Sequence, residues 1–494
     1  MWGISILSIA LALPCANAIT LHKRDDPAVF SLPIARSDRP EPLQKRSSKV
    51  ASTALYNVQN MYYMVNITVG TPAQNLSLSL DIGSSDIWVN IPNSTYCKGD
   101  DDPCSSTGLF NLEDSSTFKM LDYEMNATYA SGFLAAGHYA TDTLVIGDAK
   151  VKDMEFAVAE KSLNPHGILG IGYAANTDAA TNLGNEYANL PEELVKSGAI
   201  KSTAYSLWLN KFDGTGNLLF GGVNKARYQG ELQTVPVVPM YGKYYSLAIA
   251  LTDISVKTTK GSKDFTTGLP LAVTLDNGSP FIVLPKEVVD PIYKEVGGGY
   301  SSTVGAGYIP CDMYTADYNV TFSFSGAKVV IPISNLMWEN TSYDGFPKGT
   351  CLFGISYGEP GVSLMGDTFL RSAYVVYDLA NNEISLANTD YDGGDDDIHE
   401  IGTGTDAVPG ATLMPSAVTS ATGLEPSATI AASGSSGSEP TGTTVFVTGT
   451  STVTGAANSG GASSTSSSGM AALPTSNPNH LLPGLLGAGL LLAL

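Results

Sequence analysis

Asp81 and Asp276 stand in matching surroundings. Asp81 closes the run Leu78-Ser79-Leu80 and is followed by Ile82-Gly83-Ser84. Asp276 closes Ala272-Val273-Thr274-Leu275 and is followed by Asn277-Gly278-Ser279. Each ends an apolar strand and precedes a glycine, which lets the backbone turn tightly. A second signal repeats with them. Asp81 lies 89 residues before Gly170 of Gly167-Ile168-Leu169-Gly170-Ile171-Gly172, and Asp276 lies 90 before Gly366 of Ser363-Leu364-Met365-Gly366-Asp367. A single Asp-x-Gly-Ser marks only a turn with a solvated carboxylate. The same two signals at the same spacing, twice, argue for two homologous halves. If those halves pack about a pseudo-twofold axis, the two carboxyls meet. They cannot both ionise easily, so the pair holds one proton over a broad acid range. One can then take a proton from water while the other gives one to a carbonyl oxygen. That is general acid–base hydrolysis of an amide with no covalent intermediate.

The surrounding elements are strands. Between about residues 55 and 390 short runs alternate apolar and polar positions, as in Tyr63 to Val69, Leu76 to Leu80 and Tyr374 to Tyr377. This period of two predicts half-buried strands. Helical patterning is confined to Leu190 to Ser197 and Pro285 to Val296. The region is therefore expected to be all-β or nearly so, and too large for one core.

From about Tyr56 to Leu386 the chain resembles the pepsin-type aspartic proteases, most closely the GPI-anchored fungal yapsin-like members. The motifs are Val69-Gly70-Thr71-Pro72-Ala73-Gln74; Asp81 through Trp88-Val89; Gly221-Gly222-Val223-Asn224 with Leu232-Gln233-Thr234-Val235-Pro236; and Gly366 through Asp378. The resemblance implies a bilobal fold with the cleft between two β-rich lobes and catalysis by Asp81 and Asp276. Ser84 and Ser279 would hydrogen-bond the outer oxygens of the pair, with Gly83 and Gly278 in the turns. Tyr129-Ala130-Ser131-Gly132 looks like the substrate-binding flap, with Trp88 behind Tyr129. Four positions depart from the family pattern. Ile82 and Asn277 replace the hydroxyl residue whose side chain locks each loop to the opposite lobe. Ile82 has no donor, and a buried acceptor left unpaired costs about 1–3 kcal/mol; Asn277 can still donate through its amide. Ala130 replaces a flap glycine, and His166 an aspartate.

The two ends read as addresses. Met1 to Ala18 is apolar and closes on Ala16-Asn17-Ala18, a small-x-small cleavage pattern, so a secretory signal is expected. Lys23-Arg24 and Lys45-Arg46 are dibasic pairs in a polar stretch, and a processing protease cutting after Arg46 would leave Ser47 as the mature start. From Gly402 to Asn479 the chain is mostly Ser, Thr, Gly, Ala and Pro, which cannot bury enough surface to offset chain entropy. Small residues at Ser466 to Gly469, a polar spacer and the apolar run Leu481 to Leu494 fit a GPI-attachment signal. The expected organisation is signal 1–18, pro-segment 19–46, lobes 47–240 and 241–400, stalk 401–468 and attachment signal 469–494. That organisation places the protein on the outer face of the cell, at the plasma membrane or wall.

Cysteine usage agrees with an oxidising compartment. Cys15 lies in the signal, and Cys97, Cys104, Cys311 and Cys351 allow three pairings. Local bridges, Cys97 with Cys104 and Cys311 with Cys351, keep each within one half. Sequons stand at Asn66, Asn75, Asn93, Asn126, Asn319 and Asn340. A seventh, at Asn277, is expected to be buried and unmodified. No Cys-x-x-Cys and only five scattered His argue against a metal site, and no cofactor is called for. A net charge of −21 argues against nucleic acid as a partner and suits a protein that works in acid.

The function expected is therefore a monomeric, surface-anchored aspartic endopeptidase acting on proteins or peptides at acid pH. Asp100-Asp101-Asp102 could place negative charge near the cleft and favour basic residues beside the scissile bond. The alternative is a peptide-binding pseudo-protease, weakened by Ile82 and Asn277.

Overall fold

The computed structural model describes residues 29–35, 62–98, 103–129, 134–212, 214–240, 242–338 and 343–423. The signal, Lys45-Arg46, Asp100 to Asp102, Ala130, Gly132, Asn340 and the chain after Gly423 lie outside them. The expected strands and both expected helices are present. Their observed bounds are Met64–Val69, Gln74–Asp81 and Ala373–Asp378 for the strands, with Leu190–Lys196 and Lys286–Val296 for the helices.

The duplication seen in the sequence is a duplication of strand pairing. In the first lobe residues 78–81 run parallel to Gly167–Gly170, which pairs antiparallel with Ile87 and Trp88; residues 88–90 then run parallel to 157–159. In the second lobe Thr274 and Leu275 run parallel to Leu364–Met365, which pairs antiparallel with Ile282 and Val283; Ile282–Leu284 runs parallel to Ile355–Tyr357. The glycines of the second signal sit where these strands close. Gly170 donates to the Asp86 carbonyl at 2.9 Å, and Gly366 to the equivalent Phe281 carbonyl at 3.1 Å. A Cβ on either would come within 2.5 Å of those same carbonyl oxygens. Glycine spacing was legible in the sequence because backbone passes backbone at these two points.

The lobes share a sheet. Ala204–Trp208 of the first lobe pairs antiparallel with Ala373–Asp378 of the second, and Tyr228–Pro236 pairs with Glu383–Thr389. One contiguous apolar cluster runs through both lobes and includes Leu80, Ile82, Tyr205, Leu275 and Tyr377. Smaller clusters lie beside it, around Trp88 and Tyr139 in the first lobe and around Phe281 and Trp338 in the second, so the region buries more than one core as its length suggests. Both expected disulfides, Cys97–Cys104 and Cys311–Cys351, are formed.

Two segments differ from the organisation read in the sequence. Phe30–Ala35, inside the expected pro-segment, is a strand of the shared sheet. It pairs antiparallel with Thr215–Phe220 over six residues and touches Met64 at its end. A cut after Arg46 would sever the chain without by itself releasing this strand. At the other end the folded body does not stop at residue 400. Ile398–Glu400 pairs with Gly222–Asn224, Ala411–Leu413 runs parallel to residues 232–234, and Thr422 bridges to Leu271. Ile401 and Val408 are buried. The polar composition of 401–423 predicts a stalk. The stretch folds because the sheet edges offer backbone partners and two apolar anchors suffice to seat it.

This strap crosses from the first lobe to the second, so removing it should loosen both. A chain ending at Thr389 is expected to unfold about 5–10 °C below one ending at Gly423, the shift that losing a few kcal/mol produces in a large domain. Thermal unfolding of the two truncations checks this, and equal midpoints would show that the strap bears no load.

Candidate active site

Asp81 and Asp276 are both buried, at 3% and 0% exposure. The Gly83 N–H lies 2.9 Å from Asp81 Oδ1 and 2.9 Å from Asp276 Oδ1. One amide thus bridges carboxyls that are 195 residues apart in the chain. Both glycines in the turns are required by the opposite carboxyl. A Cβ on Gly83 would meet Asp276 Oδ2 at 2.5 Å, and a Cβ on Gly278 would meet Asp81 Oδ1 at 2.9 Å.

The two carboxyls are not equivalent. Ser84 Oγ donates to Asp81 Oδ2 at 2.5 Å. Ser279, expected to do the same for Asp276, instead donates to the Phe281 carbonyl at 3.2 Å. Asp276 receives the Gly278 N–H at 2.8 Å on Oδ1, while its buried Oδ2 accepts no hydrogen bond. Burial raises both above the ordinary carboxylate value, and Asp276 is raised further by the neighbouring Asp81 charge. Asp81, with the richer set of donors, is the better seat for the negative charge. Asp276 is the better seat for the shared proton.

One side chain links the two active-site loops across the lobes. Asn277, buried at 1% exposure, donates Nδ2 to the Leu80 carbonyl at 3.0 Å and accepts the Ile82 N–H on Oδ1 at 3.1 Å. Its amide does both jobs of the hydroxyl expected there. Its burial also leaves its sequon inaccessible. The Ile82 side chain contributes no polar bond and packs in the shared core. The acceptor that its loss was expected to strand, the Leu275 carbonyl, takes the Tyr377 hydroxyl at 3.2 Å.

The flap hairpin runs through Lys119–Thr128 and Leu134–Ile146. Tyr129 is buried and its hydroxyl accepts the Trp88 indole N–H at 2.8 Å. Beneath lies a network the sequence reading missed. Asp86 Oδ1 accepts the Tyr139 and Tyr187 hydroxyls at 2.8 and 2.7 Å, and Oδ2 accepts the Asp178 N–H at 2.6 Å. A carboxylate five residues after Asp81, immediately before the apolar run Ile87-Trp88-Val89, was the available signal. Of the sequons, Asn75, Asn93 and Asn126 are exposed, while Asn66 and Asn319 are half-buried.

A two-lobed β fold with paired, buried aspartates at the lobe junction and a tyrosine-bearing hairpin beside them defines an aspartic endopeptidase. The profile of the eukaryotic aspartyl proteases matches residues 62–389, and the chain belongs to that family. It is 42% identical to the “Probable aspartic-type endopeptidase opsB” of Aspergillus oryzae, over 99% of this chain and 98% of that one. It is 35% identical to “Aspartic proteinase yapsin-3” of Saccharomyces cerevisiae, over 76% and 74%, and 33% identical to “Acid protease” of Saccharomycopsis fibuligera, over 70% and 87%.

Two buried groups outside the pair couple stability to pH in opposite directions. Burial pushes the Asp86 carboxyl from 3.8 up to about 6. The fold then binds more protons than the open chain, so this stabilisation is full below pH 3.8 and is lost as pH rises through about 6. Burial pushes His166, edge-on to Tyr62 at 4.9 Å, from 6.5 down to about 4. Its contribution is full above pH 6.5 and is lost as pH falls through about 4. Each is worth about 3 kcal/mol by the size of the shift. Urea unfolding at pH 4 and pH 6.5 should therefore show Asp86→Asn gaining stability toward pH 6.5 relative to wild type, and His166→Gln losing it. Unchanged pH slopes in both variants would contradict the assignment.

Proposed function

We propose that this chain is an acid-active aspartic endopeptidase, made in the secretory pathway and held at the cell surface by a C-terminal GPI anchor. The observation that carries the catalytic part is the single Gly83 N–H shared by Asp81 and Asp276. Oxygens that close hold one proton between them, and a water seated on the pair faces a base and an acid at once. Asp81 takes the proton of the attacking water. Asp276 gives its proton to the carbonyl oxygen of the scissile peptide. A tetrahedral diol forms, and its collapse returns a proton to the leaving amine and regenerates the pair. Tyr129, held by Trp88, closes the site from the flap side.

The peptide-binding alternative rested on a lost lock. The amide of Asn277 spans the lobes with two bonds and supports a pair positioned for turnover. Secretion, removal of residues up to Arg46 and anchoring rest on the sequence of the two ends and on the resemblance to surface proteases. A monomer is the proposed state, and proteins or peptides are the substrates.

Protein processed at Arg46 should cleave a denatured protein near pH 4, with cleavage blocked by a statine-type peptide. Asp81→Asn and Asp276→Asn should each lower kcat by at least about 10³-fold, within the range that general acid–base groups and their positioning supply. Wild-type protein that neither cleaves nor binds the statine peptide would reject this function.

A further inference from the structure

The active-site loops are held from below as well as across. Asn277 ties the first loop through the Leu80 carbonyl, one residue before Asp81. By the duplication, the equivalent point in the second loop is the Leu275 carbonyl, one residue before Asp276. The equivalent of Asn277 is Ile82, which cannot donate. The Leu275 carbonyl nevertheless accepts a hydroxyl, that of Tyr377, at 3.2 Å. Tyr377 comes from the shared sheet, not from the opposite loop. It lies on Ala373–Asp378, fully buried, directly across from Tyr205 of Ala204–Trp208, with ring centroids 5.1 Å apart. Tyr205 donates into the first lobe at a different point, one residue after Gly170 rather than one before Asp81. Its hydroxyl donates to the Ile171 carbonyl at 3.0 Å, and the Ile171 N–H donates to the Asp81 carbonyl at 3.1 Å.

We propose that Tyr377 is a positioning residue for Asp276: its hydroxyl holds the Leu275 carbonyl in the place that Ile82 leaves unfilled. The inference deepens the hydrolase reading and rests on it for its catalytic consequence. A buried carbonyl without a donor is costly wherever it occurs. Here the cost falls at the base of the strand that carries Asp276, whose side chain has fewer donors than Asp81. Fixing Leu275 from beneath limits how far Asp276 can drift from the Gly83 N–H. The ring also fills the apolar junction between the lobes, so packing and hydrogen bond can be separated by removing the hydroxyl alone.

The test is a cycle of Tyr377→Phe, Ile82→Thr and the double variant, with Tyr205→Phe singly and combined with Ile82→Thr as the control. Tyr377→Phe should lower kcat about tenfold at unchanged KM, short of the ~10²-fold of an ångström-scale misplacement. It should also lower the unfolding midpoint by about 2–4 °C. Adding Ile82→Thr should restore both, because the new hydroxyl can reach the stranded carbonyl. Ile82→Thr should not rescue Tyr205→Phe, whose carbonyl lies in the other lobe. A double variant no better than Tyr377→Phe, in kcat or in midpoint, overturns the proposal. So does equal rescue of both tyrosine variants, which would mark a general gain in stability. If wild type proves inactive, the hydrolase reading fails separately, and the cycle in unfolding midpoint still decides whether Tyr377 and Ile82 serve the same carbonyl.

Discussion

Two carboxyl groups that share one amide proton in a buried lobe junction cannot easily both be charged, and the rest of this molecule is arranged around that constraint. Every local feature keeps the pair close. Gly83 and Gly278 are glycines because the opposite carboxyl occupies the space of a side chain. Ser84 and the Gly83 amide lower the cost of charge on Asp81, while Asp276 Oδ2 is left without a donor. The asymmetry gives chemically identical groups different environments, one better able to carry charge and the other better able to keep a proton. It arises in part because Ser279 turns its hydroxyl to Phe281 instead of to Asp276.

Holding two loops from different lobes in register needs bonds that cross between them. The chain meets this need unevenly. Asn277 offers a donor and an acceptor on one planar group, so a single amide satisfies an N–H and a carbonyl of the first loop together. Ile82 offers neither and adds apolar contact to the shared core. An amide and an isoleucine in place of two hydroxyls exchange a symmetric polar lock for one strong polar link plus packing. The exchange is tolerable because the sheet below supplies the missing donor through Tyr377.

The repeat was legible because close backbone passage demands glycine and a pleated buried strand demands alternation. Both leave marks at fixed sequence offsets, as Gly170, Gly366 and the run before each Asp show. The bridges were legible because proximity within a half restricts pairing. The polar contacts beneath the site were not. Tyr377 and Tyr205 sit in runs that read simply as apolar strand, and nothing local tells which carbonyl a buried hydroxyl will reach. Asp86 stood in plain view, yet its partners Tyr139, Tyr187 and Asp178 arrive from 53 to 101 residues away. The strap at 401–423 was misread for the same reason. Composition reports how much apolar surface a segment owns, and it is silent on the sheet edges waiting for a partner.

The strap's fastenings also suit acid conditions. Its acidic entry is tied by the half-buried Arg227 to the exposed Asp396 at 2.5 Å, and by Lys211 to Asp392, both exposed, at 3.0 Å. Exposed pairs of this kind contribute little, and ion pairs weaken as carboxylates take up protons. A segment held only by them would be weakly fastened. The bonds that do not titrate tie the strap to both lobes: Ile401 N–H to the Gly221 carbonyl at 2.8 Å, Met414 N–H to the Thr234 carbonyl at 2.9 Å, and Ala272 N–H to the Thr422 carbonyl at 2.8 Å. The last of these is made to the strand Leu271–Leu275, whose far end leads directly into Asp276. The same strand is thus gripped at its start by the strap and at its end by Tyr377, and neither grip depends on a charge.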